Sequence, residues 1–153
     1  MVGRLSVQVD VGFGDTVTPG PEDIVYPTLL EDQPAPRLRA YPRATVVAEK
    51  LEAIVSLGMA NSRMKDYFDL RALAKEGALE SGVLASAIAA TFACRQTPIP
   101  FEMPLGLRDE FARDSTKQVQ WKGFLARNRI LAPPLDEVIS EVRTFLTEPL
   151  RIA

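Results

Sequence analysis

Histidine is absent from this 153-residue chain, and cysteine occurs once. The first absence removes the commonest general base and the commonest zinc ligand. The second excludes an intrachain disulfide and a cysteine metal cluster. Cys94 sits among Ala89, Ala90, Phe92 and Ala93 and reads as a small core residue. Neither sign of charge is in excess: 18 Lys and Arg face 20 Asp and Glu, for a net charge of -2. The chain therefore has no overall basic footprint for nucleic acid, although a local patch can exist. No apolar run is long enough to span a bilayer, and the start carries no signal-peptide hydrophobic region. The expected location is the cytoplasm. Repeats and low-complexity segments are also absent.

What is present suits a globular protein. Hydrophobic residues make up 46% of the chain, enough for a real core, and charged residues 25%. The length fits one domain, or a domain plus a fragment.

Residues 4–11 alternate, with Leu5, Val7, Val9 and Val11 on one face and Arg4, Ser6, Gln8 and Asp10 on the other. This is the pattern of a half-buried strand ended by Gly12 and Gly14. Asp10 then stands near the strand's C-terminal end, where a carboxylate is held rigidly at a sheet rim. The next stretch, 15–36, is rich in turn formers and predicts a long loop, with one short extended piece around Ile24 to Tyr26. Arg37 to Tyr41 alternates again and predicts a last strand. Pro42 opens a helix near its first turn, where a missing N–H does no harm.

Two helices follow, from about Arg43 to Leu57 and from about Ser62 to Glu76. In the first, Val46, Val47, Leu51, Ile54 and Leu57 form an apolar arc. Lys50 lies inside that arc, while Glu49 and Glu52 fall on the other side. In the second, Tyr67, Leu70, Leu73 and Ala74 form the arc, with Asp66 on the same side and Asp69 at its border. A lone charge pressed into a core is costly, whereas a well-arranged pair is tolerated. Lys50 and Asp66 are therefore expected to meet between the helices, or to line a cleft together. The blander alternative is a snorkelling lysine and a helix that tolerates one inward aspartate.

Later segments are helical at Ser81 to Arg95, briefly at Arg108 to Asp114, from a Ser115 or Thr116 cap to Asn128, and at Leu135 to Leu150. Val83, Val119, Trp121, Phe124 and Leu125 are among their expected packing residues. Thr97 to Leu107 holds three prolines and must be irregular. The fold class is α+β and mostly helical: one or two N-terminal strands followed by a bundle of about five helices. So small a set of strands is not a stable sheet. A free strand edge invites pairing, so a homodimer through residues 4–11 is an expected partner arrangement.

The strand VQVDVGFGD, the block AEKLEAIVSLGMANSRMKDYFDL and the later WKGFLARNR resemble the nucleotidyltransferase AbiEii/AbiGii toxin family of abortive-infection toxin–antitoxin systems. The middle block is the most specific part: Glu49-Lys50, then Lys65-Asp66, then Asp69-Leu70. The resemblance covers nearly the whole chain but only about the C-terminal half of the family's fold. It implies that residues 1–41 are the end of a nucleotidyltransferase-like sheet plus a Pro-rich loop, and that residues 42–153 are a helical domain. It implies catalytic roles for Asp10, Lys50 and Asp66. Lys50 would contact a phosphate of the bound nucleotide, and Asp66 would orient it. Asp69, Lys65 and Arg63 would support them. Asp10 would be the third acid of a metal-binding trio, an incomplete site on its own.

The family's glycine-rich turn and Asp-x-Asp strand, which hold the metal ions and the triphosphate, have no counterpart in the sequence. The complete family enzyme uses Mg2+ and a nucleoside triphosphate; this chain alone is expected to bind neither. Two readings follow. In the first, the chain is the C-terminal portion of a nucleotidyltransferase toxin, modifying an RNA or protein acceptor once the missing half is supplied. In the second, it is an inactive helical module that binds a partner protein or RNA. A product of gene decay, with no present role, is a third. The resemblance also implies an antitoxin as partner. No membrane association is expected.

Overall fold

A computed structural model describes residues 6, 7, 9, 14–28, 32–77 and 79–153. Among the described residues, two short strands come first, β1 (Glu22–Val25) and β2 (Arg37–Ala40). Six helices follow: α1 (Arg43–Leu57), α2 (Met64–Lys75), α3 (Ser81–Cys94), α4 (Asp109–Arg113), α5 (Ser115–Asn128) and α6 (Leu135–Ile152). Single 3-10 turns stand at Gly58–Ala60 and Leu105–Leu107. The class is α+β and mostly helical, as expected. No helix among the described residues is long and apolar enough to cross a membrane.

The strands form an antiparallel hairpin in which Ile24 pairs with Leu38 and Asp23 with Arg39. Val25, Tyr26, Leu38 and Tyr41 remain exposed on it. The strand expected over residues 4–11 lies mostly outside the described residues, Asp10 included. Val7 and Val9, expected to be half-buried, are 76% and 77% exposed, without regular structure.

α1 begins after Pro42, whose φ of -58° already suits a helix start, and ends at Gly58 with φ +49°. It is the centre of the bundle. α3 packs on one side of it and α2 on another, and α6 closes over α2 and α3. α6 is the plainest amphipathic helix: Leu135, Val138, Ile139, Val142 and Leu146 recur at three- and four-residue steps and are all buried.

Covering α1 on two sides corrects the one-arc reading of that helix. Val47, Leu51 and Ile54 are buried as expected, but so is Glu52, at 6% exposure, while Leu57 is 40% exposed. Other expectations fail for local reasons. Cys94 is exposed at the end of α3 rather than in the core, and Val83 lies on that helix's solvent side. Val119 is 69% exposed. The cap of α5 is Asp114, whose carboxylate accepts from the Lys117 backbone N–H at 3.0 Å, so Ser115 is the helix's first residue instead.

Gly106 fixes one close approach. A Cβ there would lie 2.7 Å from Ile54 Cγ2 and 2.9 Å from the Tyr67 hydroxyl. Its missing side chain lets the Leu105–Leu107 turn press against α1 and α2. Leu107 and Phe111 thereby join the core, and Phe111 stacks on Tyr67 with ring centroids 5.4 Å apart.

Candidate active site

The charged residues that stood out on α1 and α2 come together. Lys50 Nζ donates to Asp66 Oδ1 at 3.0 Å and to Asp69 Oδ2 at 2.7 Å. Asp66 is on the inner face of α2, its side chain 4% exposed; that of Lys50 is 17% exposed. Asp69, three residues on, lies beside it on the helix face, so both carboxylates meet one ammonium. Asp69 was expected only at the border of the arc, yet it makes the shorter contact.

A second tier of cations holds the carboxylates. Lys65 Nζ donates to Asp69 Oδ2 at 2.6 Å, and Arg63 Nε lies 2.8 Å from Asp66 Oδ2. The Arg63 contact is an ion pair without hydrogen-bond alignment. Burial opposes the charge on Lys50, but the two carboxylate hydrogen bonds outweigh it and raise its pKa. Burial likewise opposes ionisation of Asp69; the bonds from Lys50 and Lys65 win and lower its pKa. Lys50 and Asp69 are therefore both charged across the physiological range.

A cavity of about 180 Å³ opens beside it, lined by Val46, Glu49, Lys50, Arg63 and Arg95. An ammonium has three N–H donors, and Lys50 spends two on carboxylates. Arg95, from the end of α3, is fixed by Glu52, which accepts from its Nη1 at 2.8 Å and from Thr97 Oγ1 at 2.6 Å. These bonds overcome the effect of burial and keep Glu52 below its usual pKa. Glu49 differs: burial raises its pKa, and the nearby Arg95 offsets only part of that.

The same corner ties down residues 14–18. Thr45 Oγ1 accepts from Thr18 N at 3.2 Å and donates to Thr18 O at 2.9 Å, and Arg95 reaches Asp15 at 3.4 Å. Where Asp10 stands relative to Lys50 lies outside the described residues.

The loop that leads through Arg63 into α2, ahead of Lys65 and Asp66, is gripped from below by a residue not anticipated. Lys117, 5% exposed, donates to the Asn61 carbonyl at 2.8 Å, and its Nζ lies 5.1 Å from the centroid of the Phe111 ring. Asn61 is itself buried, and its Oδ1 accepts from Arg63 N at 2.8 Å. Lys117 stands four residues before Trp121 and so shares its inward face. That was the available signal. Glu52 and Arg95 had none, because their partners come from different helices.

The residues present offer little to a magnesium ion. Mg2+ wants near-octahedral oxygen ligands. Asp66 and Asp69 are committed to cations, and no cluster of three candidate metal ligands occurs among the described residues.

The helical bundle with its short N-terminal sheet thus carries a lysine clasped by two aspartates beside a cavity lined by two arginines. The chain belongs to the nucleotidyl transferase AbiEii toxin family of type IV toxin–antitoxin systems, whose family model matches residues 2–147. The match takes in the N-terminal segment as well as the helices. Comparison with curated proteins and with solved structures gives no match.

Proposed function

We propose that this chain supplies the cationic wall of a nucleotidyltransferase site, and that Lys50 holds a phosphate of the nucleoside triphosphate there. The observation that carries this is the double clasp of Lys50 at the mouth of a cavity that also holds Arg63 and Arg95. Asp66 and Asp69 fix the ammonium so that its remaining N–H meets the ligand without reorganisation. Arg63 and Lys65 hold those carboxylates in place. At about 180 Å³ the cavity is smaller than the ~300–1,000 Å³ typical of ligand sites. It suits the phosphate end of a nucleotide, and the rest of the ligand lies on other surfaces.

Transfer to an RNA or protein acceptor requires the glycine-rich turn and Asp-x-Asp strand that this sequence lacks. Residues 1–41 would join that sheet, bringing Asp10 to the metal, and residues 42–153 would be the helical domain. The divalent metal would supply charge neutralisation at the transferring phosphate; no residue described here is assigned to it. The site of action is the cytoplasm, and the family points to an antitoxin as counterpart.

The test is transfer of labelled nucleotide to total RNA or protein in magnesium buffer, with and without the missing half supplied from a complete relative. Label should move only in the complemented reaction, and Lys50→Met should abolish it. Transfer by the 153-residue chain alone, or complemented transfer indifferent to Lys50, overturns the reading.

A second reading, that of an inactive binding module, draws on the hairpin. Two strands alone are marginal, and this pair exposes Val25, Tyr26, Leu38 and Tyr41. A homodimer through the N-terminal segment belongs to this reading. Light scattering that shows a monomer, unchanged by Val7→Lys with Val9→Lys, would remove it.

A further inference from the structure

A larger groove, of about 560 Å³, lies across Arg63 from the Lys50 cavity, between the start of α2 and one face of α5. Arg63 lines both spaces. Gln120, Gly123 and Arg127 recur at helical spacing and share the face that α5 turns to the groove.

Three cations converge there. Arg63 and Lys65 are ion-paired, yet their side chains are 59% and 72% exposed, so donors remain on the open side. Arg127 is exposed and makes no ion pair among the described residues. The one acid in the lining, Asp66, is already bound to Lys50 and Arg63. In a chain of net charge -2, this is a local excess of positive charge.

Gly123 is a separate observation. Glycine inside a helix is unfavourable relative to alanine. At Gly106 packing requires it. At Gly123 a Cβ would meet nothing within 4 Å, so no packing demand explains it. The missing side chain bares the α5 backbone on the groove floor. Beside it lie Val119, 69% exposed, and Phe124, partly buried against Trp121.

We propose that this groove is a second phosphate-binding site, distinct from the Lys50 cavity. The phosphoryl group of a nucleotide sits on Arg63, Lys65 and Arg127, and its apolar part lies over Gly123 against Val119 and Phe124. A free nucleotide and the terminal nucleotide of a nucleic-acid strand share this chemistry. Only the choice of nucleotide as the ligand rests on the nucleotidyltransferase reading.

Trp121 is the single tryptophan, its ring centroid 5.7 Å from that of Phe124, so its fluorescence reports on the groove. The 153-residue chain is titrated, without metal, with 5′-AMP and with a short single-stranded RNA. At least one should bind. Arg127→Glu should weaken that binding tenfold or more, and Gly123→Leu should block it with unchanged circular dichroism. If Gly123→Leu fails to fold, the exposed Arg127→Glu decides alone. AMP binding identifies the free nucleotide as the source. RNA binding without AMP binding, steeply weakened by salt, identifies the strand. If neither probe binds, or if binding ignores Arg127→Glu, the proposal is overturned. Pyrophosphate titration separates the two sites. Binding that Lys50→Arg changes and Arg127→Glu leaves alone assigns pyrophosphate to the Lys50 cavity and counts against the groove. The reverse pattern upholds the groove and counts against the cavity.

Discussion

Two lysines are drawn into this bundle, and they are held in opposite ways. Lys50, at the α1–α2 seam, has two carboxylates within 3.0 Å. Lys117, at the base of α5, has no carboxylate partner among the described residues: a backbone carbonyl at 2.8 Å, the Gln120 amide at 3.5 Å and the face of Phe111 surround its ammonium. One charge is met by opposite charge, the other by dipoles and a ring quadrupole. Both act on the same segment. Lys50 holds the aspartates at the start of α2, and Lys117 holds the loop that enters it. The difference teaches that burial of a cation is not by itself a mark of a ligand site. Lys50 differs in lining a cavity itself, together with Arg63 and Arg95.

The sharpest way to break the comparison is to remove each ammonium in turn. Lys50→Met strands two carboxylates at a largely buried seam. Removing one member of a buried pair costs ~3–5 kcal/mol, and the partial exposure here puts the expected loss near the lower figure. Arg63 and Lys65 remain to soften it. Asp66→Leu should cost less, because Asp69 still holds Lys50. The double variant should lose less than the two singles summed, by roughly 1–2 kcal/mol. Urea unfolding of the four proteins measures this, and additive losses would refute the coupling.

That seam was also the most legible feature of the sequence. The bounds of α1 were readable because Pro42 and Gly58 punctuate a long periodic run. Lys50 and Asp66 stood out as charges inside apolar arcs. Glu52, Arg95 and Lys117 did not, for related reasons. An arc is read against one neighbouring surface, but α1 has two, so Glu52 meets Arg95 on a side that looked solvent-facing. Lys117 follows Asp114, Ser115 and Thr116, a polar helix start that masks its alignment with Trp121. The hairpin was visible only as two extended pieces. Their pairing depends on a turn that no short motif announces.

Lys117→Met is the next largest expected effect. It leaves the buried Asn61 carbonyl without its donor, which costs about 1–3 kcal/mol, partly regained because a buried charge is also removed. A net loss of about 1 kcal/mol is expected. A loss equal to that of Lys50→Met would mean that the dipole-held lysine is as tightly bound as the ion-paired one.

The pH dependence gives a second test of the Lys50 seam. Asp69 is depressed below its ordinary 3.8, so its contribution is present above that value and lost as pH falls through the lower folded pKa. Lys50 is raised above 10.5, so its contribution is present below 10.5 and lost as pH rises through the higher folded value. The seam therefore has a plateau with a loss at each end. Urea midpoints across pH should show both wings in the parent and in Lys117→Met. Both wings should shrink in Lys50→Met, since each depends on the Lys50–Asp69 contact.

The smallest expected effect lies at the cavity mouth and has the opposite sign. Glu49 is the one carboxylate in a lining that otherwise holds Lys50, Arg63 and Arg95. Burial raises its pKa above 4.5, against the pull of Arg95. A raised carboxyl contributes stability below its unfolded pKa and loses it as pH rises through the folded one. At pH 7 its ionised form is therefore slightly unfavourable. Glu49→Gln should raise the melting temperature a little at pH 7 and leave it unchanged below pH 4.5. The variant also removes a negative charge from a cavity proposed to take phosphate, so pyrophosphate should bind it more tightly. If Glu49→Gln lowers the melting temperature at pH 7, the Arg95 contact at 3.9 Å outweighs the burial cost, and Glu49 is a structural partner of Arg95. If it is stabilised but pyrophosphate binding does not change, the cavity is not where the phosphate goes.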